Sequence, residues 1–357
     1  MVWPKVSIIW LNYNSSRILP IVLESLESVV GLDYPSDRYE LIVVDNGSTD
    51  GSFEKVKDFL ERRGSLKKRI IRLGRNLGFT GGNNIGFMAR DRESKYVLLL
   101  NNDAIIFQGG LKTLVEYAEN YSDVACLQGV VLNYGTRLIE DIGFYLDEFL
   151  QPYGLGSGCE YPCIFTNPIY VTYVSGACAL YRVESVIRCL GNKLFIDEFF
   201  GYGDDHVLGL IMWSYGYKSV AIPEIIASHV GSLTFGRKSS FQTYLLERNR
   251  IALLLITNTR YKYIAFLHKV RSFMTFALKT PTKNLKPIEV RALVNGLKLG
   301  RKLRERGIFI NIYKAPLIKI PLRNIIRLFT TSDIAMKYLK EYFEDWITKN
   351  LSFLTVE

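Results

Sequence analysis

The chain of 357 residues predicts an α/β fold, with a mostly parallel central sheet flanked by helices and a basic, mainly helical region after it. Three observations lead there. Short apolar runs rich in β-branched residues alternate with amphipathic stretches four times in about the first hundred residues. Every one of those runs ends in polar residues. The charge also divides: from Arg237 onward there are 24 Lys/Arg and 8 Asp/Glu, net +16, whereas the residues before carry 21 and 27, net −6. The expected boundary therefore separates an α/β domain over 1–235 from a basic region over 236–357.

The elements follow in order. "KVSIIWL" and "ELIVVD" read as the first two strands. Between them, Ile18, Ile21, Val22, Ser25, Leu26 and Val29 share one helical stripe, with Ser15 or Ser16 as its N-cap. A crossover of this length makes a right-handed parallel unit. "GSTDGSFEKVKDFLERRG" supplies the second helix, "RIIRLG" the third strand, "GGNNIGFMARDRES" the third helix and "KYVLLLNND" the fourth strand. A further helix, "LKTLVEYAENY", and a strand, "VACLQGVVLN", come next. Residues 135–168, rich in Gly, Pro and aromatics, read as loops and short antiparallel strands. "FIDEFFGYGDDHVLGLIMWSYGY" is a loop entering a helix, and "KSVAIPEIIASHVGS" closes the domain with strands.

Composition excludes several classes. Hydrophobic residues at 48% and charged residues at 22% are globular values. No apolar run reaches the roughly eighteen residues of a spanning helix. The N-terminal stretch has no signal-peptide layout, so the expected location is cytoplasmic. Five cysteines and three histidines form no metal-binding spacing. The GxGxxG dinucleotide signature is absent.

The polar strand ends carry the chemistry. "NYN" follows strand one, "DNGSTD" strand two, "GRNLGFTGGNN" strand three and "NND" strand four. One such junction suits an ordinary turn. Four at the same sheet edge converge on one crevice, where open α/β folds hold ligands.

The ordered set "VSIIWLNYN", "VVDNGSTDGS", "NLGFTGGNNIGF", "LLLNNDAII", "VSGACALYR", "FIDEFFGYGDD" and "IASHVGS" resembles the inverting family 2 glycosyltransferases of the GT-A nucleotide-sugar-binding fold, especially their rhamnosyl- and galactofuranosyl-transferase-like branch. The likeness runs from about Val6 to about Arg250. It implies transfer of a sugar from a nucleoside-diphosphate donor to a hydroxyl acceptor. A divalent cation, Mg²⁺ or Mn²⁺, would offset the leaving diphosphate. Asp103 matches the last Asp of the family's DXD element, and His229 matches a histidine that completes the metal shell. Asn101 stands at the first acidic position, a departure that leaves fewer carboxylates for metal. Asp45 matches the aspartate that contacts base or ribose, with Asn12 and Tyr13 lining the same pocket. Arg75, Asn76, Asn101 and Asn102 are expected along the donor. The glycines from Gly78 to Gly86 would permit close backbone approach, with Arg75 pairing to phosphate. Asp205 matches the aspartate of the family's Glu-Asp pair and is the expected base, and Asp204 replaces the glutamate and orients the acceptor or tunes its neighbour. An acidic first helical turn complementing the helix dipole is the plainer account of that pair. Where the family continues with Asp-Leu and then Arg, this chain has Val207, Leu208 and Ile211.

Residues 237–327 hold 21 basic and 3 acidic residues interleaved with apolar runs such as "IALLLI" and "FMTFAL". Such helices suit an anionic membrane surface, which a lipid-linked or surface glycan acceptor would explain. A helical extension packed on the first domain is the alternative. No nucleic-acid recognition module is present. Two other functions share these features: nucleotidyl transfer to sugar phosphates, and non-catalytic glycan or membrane binding on the same scaffold.

Overall fold

The computed structural model describes residues 2–64, 66–162, 165–231, 239–267, 270–271, 287–322, 325 and 332–356. Its N-terminal half alternates as expected: β1 (Val6–Asn12), α1 (Leu19–Val30), β2 (Tyr39–Asp45), α2 (Ser52–Glu61), β3 (Lys68–Arg72), α3 (Gly78–Ala89) and β4 (Tyr96–Asn101). There follow β5 (Ala104–Ile106), α4 (Gly110–Asn120), β6 (Val124–Asn133), β7 (Ile139–Asp141), β8 (Phe144–Asp147), β9 (Pro152–Gly154), β10 (Ile169–Tyr170), β11 (Cys178–Arg182), α5 (Val183–Leu190), α6 (Asp204–Ser214) and β12 (Lys218–His229). Beyond these lie α7 (Ser240–Ile256), a helix over Pro287–Glu305, β13 (Leu317–Ile318) and a helix over Ser332–Leu354.

The main sheet runs β10-β12-β6-β11-β4-β1-β2-β3, with β5 on β12 and β7 on β6. β1 is parallel to both β2 and β4. Winding therefore reverses at β1, and the crevice lies outside the carboxyl ends of β1 and β4. Further along, the sheet is mixed: β11 is antiparallel to both β4 and β6, whereas β12 runs parallel to β6. The segment expected as closing strands is the single long β12.

Both faces of the central strands are covered, which is why they read as unbroken apolar runs. On one face Ile8, Trp10, Leu41, Val43 and Leu98 pack with Val22, Leu26, Val56, Leu60 and Leu114 of α1, α2 and α4. On the other, Ile9, Val97 and Leu99 pack with Phe87, Val186, Leu208 and Met212 of α3, α5 and α6.

The basic region packs on the same body. β13 pairs with β8, and Thr355 bridges to Ile169 beside the sheet edge. Phe343, Ile347 and Leu354 join the second core. A charge change at residue 236 thus marks a shift in composition, while the packing continues across it. Of the basic stretch, residues 236–238, 268–269, 272–286, 323–324 and 326–331 lie outside the described residues, as does Cys163.

Candidate active site

Of the three polar residues that close the β4 run, Asn102 and Asp103 are the turn that joins β4 to β5. Asn101 ends β4, and its N–H donates to the Ala177 carbonyl at 2.9 Å. β5 then pairs antiparallel with β12, setting Ala104 opposite His229. This register brings two residues 126 apart in sequence together: His229 Nε2 lies 2.9 Å from Asp103 Oδ1. On the other side of the ring, His229 Nδ1 lies 2.7 Å from Glu140 Oε2. Burial disfavours charge on this imidazole, but the two carboxylates outweigh it and push its pKa up to about 10.

Asp204 and Asp205 open α6, directly after Gly203 in the left-handed region at φ 82°. Asp204 is buried, and burial raises its pKa to about 7. Asp205 is raised well above the usual carboxylate range, first by burial and then by Asp204. Among the described residues, Asp204 Oδ2 and Asp205 Oδ1 have no hydrogen-bond partner. Backbone N–H groups at the helix N-terminus favour the charged form, but not enough to restore ordinary acidity.

The loop before this pair is held from outside the α/β domain. Asn249 of α7 donates through Nδ2 to the carbonyls of Phe199 (3.0 Å), Gly201 (2.8 Å) and Tyr202 (2.6 Å). Arg248 donates to the carbonyls of Glu198 and Phe199 at 3.0 and 2.6 Å. These bonds hold Phe200 and Tyr202 at φ 65° and 64°, a costly region for residues with side chains.

A cavity of about 410 Å³ connects the two halves. Asn101, Asn102, Asp103 and His229 line it, and so do Asp204 and Asp205. Tyr13 and Asn76 also face it, as expected along a donor. Phe144, Tyr173, His206 and Leu246 form an apolar part of the wall. His206 packs on Tyr173 with ring centres 4.4 Å apart, and burial lowers its pKa to about 4.

Three expected residues sit elsewhere. Asn12 and Asp45 are fully buried beneath the cavity. Asn12 Nδ2 donates to Asp45 Oδ1 at 2.9 Å, and Asp45 Oδ2 accepts the Ser48 N–H at 3.0 Å, so one carboxylate oxygen ties the end of β1 to β2 and the other closes the turn after β2. Arg75 is exposed and lies outside the lining, one residue before Asn76. The glycine stretch is closely packed. Gly78, at φ 77°, lies so close to the acidic loop that a Cβ there would fall 2.2 Å from the Phe200 carbonyl oxygen. The sequence reading missed Asn46, which lines the cavity and donates to Asn76 Oδ1 and the Gly78 carbonyl, both at 3.0 Å. It also missed Glu140 and Asn249. Asn46 sits inside the quoted "DNGSTD" and was open to notice; the other two act only through distant partners.

Asp103 and His229 are a carboxylate and an imidazole that a divalent cation could share. Among the described residues no cluster of three or more His, Cys, Asp or Glu is placed to bind a metal. The protein thus offers two donors, one oxygen and one nitrogen, and leaves the other positions to ligand oxygens or water.

Comparison with known proteins agrees with this architecture. The profile described as "Glycosyl transferase family 2" matches residues 7–190, just over half of the chain. The poly(ribitol-phosphate) beta-N-acetylglucosaminyltransferase TarS of Staphylococcus aureus is 29% identical over 126 residues, 35% of this chain and 21% of that protein. The dolichyl-phosphate beta-glucosyltransferase of Homo sapiens is 32% identical over 89 residues, 24% of this chain and 27% of that one. The chain thus aligns with only about a fifth to a quarter of these relatives. Among solved structures, the mannosyltransferase PcManGT of Pyrobaculum calidifontis, in complex with GDP-Man and Mn²⁺, superposes with a TM-score of 0.54 at 16% identity, covering 98% of this chain and 88% of that one. S. aureus TarS 1–349 in complex with UDP-GlcNAc gives 0.54 at 18% identity, covering 85% and 84%. GalNAc-T7 with UDP, GalNAc and Mn²⁺ gives 0.60 at 13% identity, covering 87% and 55%. These likenesses carry the GT-A fold, and the profile match carries the family: this chain belongs to glycosyl transferase family 2.

Proposed function

We propose that the chain is an inverting, metal-assisted glycosyltransferase that moves a sugar from a nucleoside-diphosphate donor to a hydroxyl acceptor. The observation that carries this reading is that Asp103 and Asp205 line one cavity. Asp205 takes the proton of the acceptor hydroxyl, whose oxygen bonds to the anomeric carbon as the bond to the diphosphate breaks. Attack on the face opposite the leaving group inverts the anomeric centre. Asp204 raises the proton affinity of Asp205 and faces the acceptor side. Mg²⁺ or Mn²⁺ on Asp103 and His229 would neutralise charge on the departing diphosphate. Among the described residues no lysine or arginine lines the cavity, which supports assigning that task to a cation. Tyr13, Asn46, Asn76, Asn101 and Asn102 supply amide and hydroxyl groups for the donor.

For the acceptor, a lipid-linked or surface glycan fits best. Phe241 and Leu246 of α7 are 45% and 44% exposed, and Leu246 reaches the cavity wall. No helix among the described residues is long and apolar enough to cross a membrane. The contact with an anionic membrane is assigned to the basic region over 237–327.

The test is turnover of UDP-, GDP- and dTDP-sugars with Mn²⁺. The expected product is the nucleoside diphosphate, with inverted configuration in the glycoside by NMR. Asp205→Asn should bind donor and release nothing. Pyrophosphate release would replace this reading with nucleotidyl transfer, and calorimetry with no nucleotide-sugar binding would leave a non-catalytic scaffold.

A further inference from the structure

Strand β7 has a kink that bears on the cation pair. Asp141 pairs with Val131 and Ile139 with Leu132, so three residues of β7 oppose two of β6. Glu140 is the extra residue, a β-bulge of the kind that re-aims a side chain beside an active site. Its carboxylate Oε2 lies 2.7 Å from His229 Nδ1, while His229 Nε2 lies 2.9 Å from Asp103 Oδ1. The chain beyond β12 is shaped around the same carboxylate. Gly231, at φ 78°, has no side chain at a point 3.1 Å from Glu140 Oε1.

We infer that Glu140 is a positioning residue that holds the Nδ1 proton and the orientation of His229, so that Nε2, which faces Asp103, is the nitrogen that exchanges its proton for a shared cation. The inference rests on the proposed cation role of Asp103 and His229. An imidazole can bind metal through one nitrogen only if that nitrogen has lost its proton. A carboxylate accepting from the opposite N–H keeps the proton on Nδ1 and makes Nε2 more basic. With Glu140 gone, His229 can turn or swap tautomers, and Asp103 faces a weaker co-ligand. On the other face of β7, Asp141 accepts from Gln128 Nε2, and Gln128 Oε1 accepts the Ser175 N–H at 2.6 Å, so the bulge separates two acids with different partners.

The experiment is Mn²⁺ binding to the full chain, read by electron paramagnetic resonance of free Mn²⁺ with and without UDP or GDP. Removal of an outer partner of a metal ligand costs about 10- to 100-fold in affinity. Glu140→Ala is expected at the upper end of that range, and Glu140→Gln, which keeps an oxygen acceptor without the charge, at the lower end. His229→Ala should lose at least as much, and adding Glu140→Ala to it should lose nothing more, because Glu140 acts through His229. Unfolding temperature and circular dichroism close to those of the parent keep this distinct from a folding defect. If Asp103→Asn weakens Mn²⁺ binding while both Glu140 variants stay within about two-fold of the parent, the inference is overturned and the cation site stands. If Asp103→Asn also binds like the parent, the cation reading falls, and the inference with it.

Discussion

Gly176 leaves room that Asp205 occupies. A Cβ added at Gly176 would lie 3.0 Å from Asp205 Oδ1 and 3.1 Å from Phe79 Cζ. The carboxylate proposed as base is thus pressed against a backbone turn, and its position is set by the absence of a side chain. Gly176→Ala requires a shift of a few tenths of an ångström. Misplacement of about 1 Å can cost roughly 100-fold in rate, so this shift should lower kcat about 10-fold. Nucleotide affinity should hold, because the donor residues lie at the other strand ends. Steady-state kinetics alongside UDP or GDP titration checks the split.

The buried acid pair sets a pH dependence. A base must be unprotonated to accept the hydroxyl proton, and both carboxyls hold theirs above the usual range, Asp204 up to about 7. Activity should therefore rise with pH through neutrality, on an acidic limb well above pH 4. For stability the sign is opposite. Between the unfolded carboxyl value near 4 and the folded value near 7, the native state holds the extra proton, so stability falls as pH rises across that window. Asp204→Asn removes the buried charge. Its unfolding temperature should exceed that of the parent by about 2–4 °C at pH 8, as ~1 kcal/mol does in a large domain, and the gap should close by pH 5. A constant gap across that range would mean Asp204 is not charged within the fold.

How much of this was legible in the sequence depends on where the deciding partner lies. Strand ends and their polar tips were readable because apolar period and polar punctuation are local signals, and Asn101, Asn102 and Asp103 do face the cavity. Asn12 and Asp45 were read as ligand-facing from the same signal, but a polar residue at a strand end can equally stabilise its own turn. Only coordinates show that Asp45 is already satisfied by Asn12 and Ser48. Glu140 lies in a stretch without period, and its meaning depends on a histidine 89 positions later. The boundary at 235/236 came from charge. Charge reports on the exposed face of α7, whereas Leu245, Asn249 and Ala252 on its buried face belong to the site and the core.

Asn249 gives a third expectation. Its amide holds three carbonyls of the loop that carries Phe200 and Tyr202 in left-handed conformations. Asn249→Ala removes one donor from each of those carbonyls, the Phe199 carbonyl keeping its bond from Arg248, at a cost of about 1–3 kcal/mol, and it frees a loop that places Asp204 and Asp205. Both unfolding temperature and kcat should fall. Asn249→Asp should be worse, since a carboxylate would face three carbonyl oxygens. Unchanged kcat in a folded Asn249→Ala protein would mean the loop holds its shape without α7.

The last expectation concerns the basic flank. Among its described residues Tyr263, Leu267 and Leu322 are 79%, 62% and 72% exposed, large apolar groups among lysines and arginines. Lys262 and Arg304 lie over the Phe309 ring at 6.0 and 5.6 Å, so cation and apolar surface occupy one patch. Each basic residue near an anionic bilayer contributes about 1 kcal/mol, and apolar side chains add to this by entering the interface. Replacing Lys262 and Arg304 together by Gln removes ~2 kcal/mol on that scale, about a 30-fold loss in partitioning to phosphatidylserine vesicles. Phosphatidylcholine vesicles should bind poorly, and added salt should release the protein as the Debye length shortens. Sedimentation with the two vesicle types across a salt series separates the cases. Binding to neither would make this face a solvated flank, and equal binding to both would mean that its apolar groups, and not its charge, drive the contact.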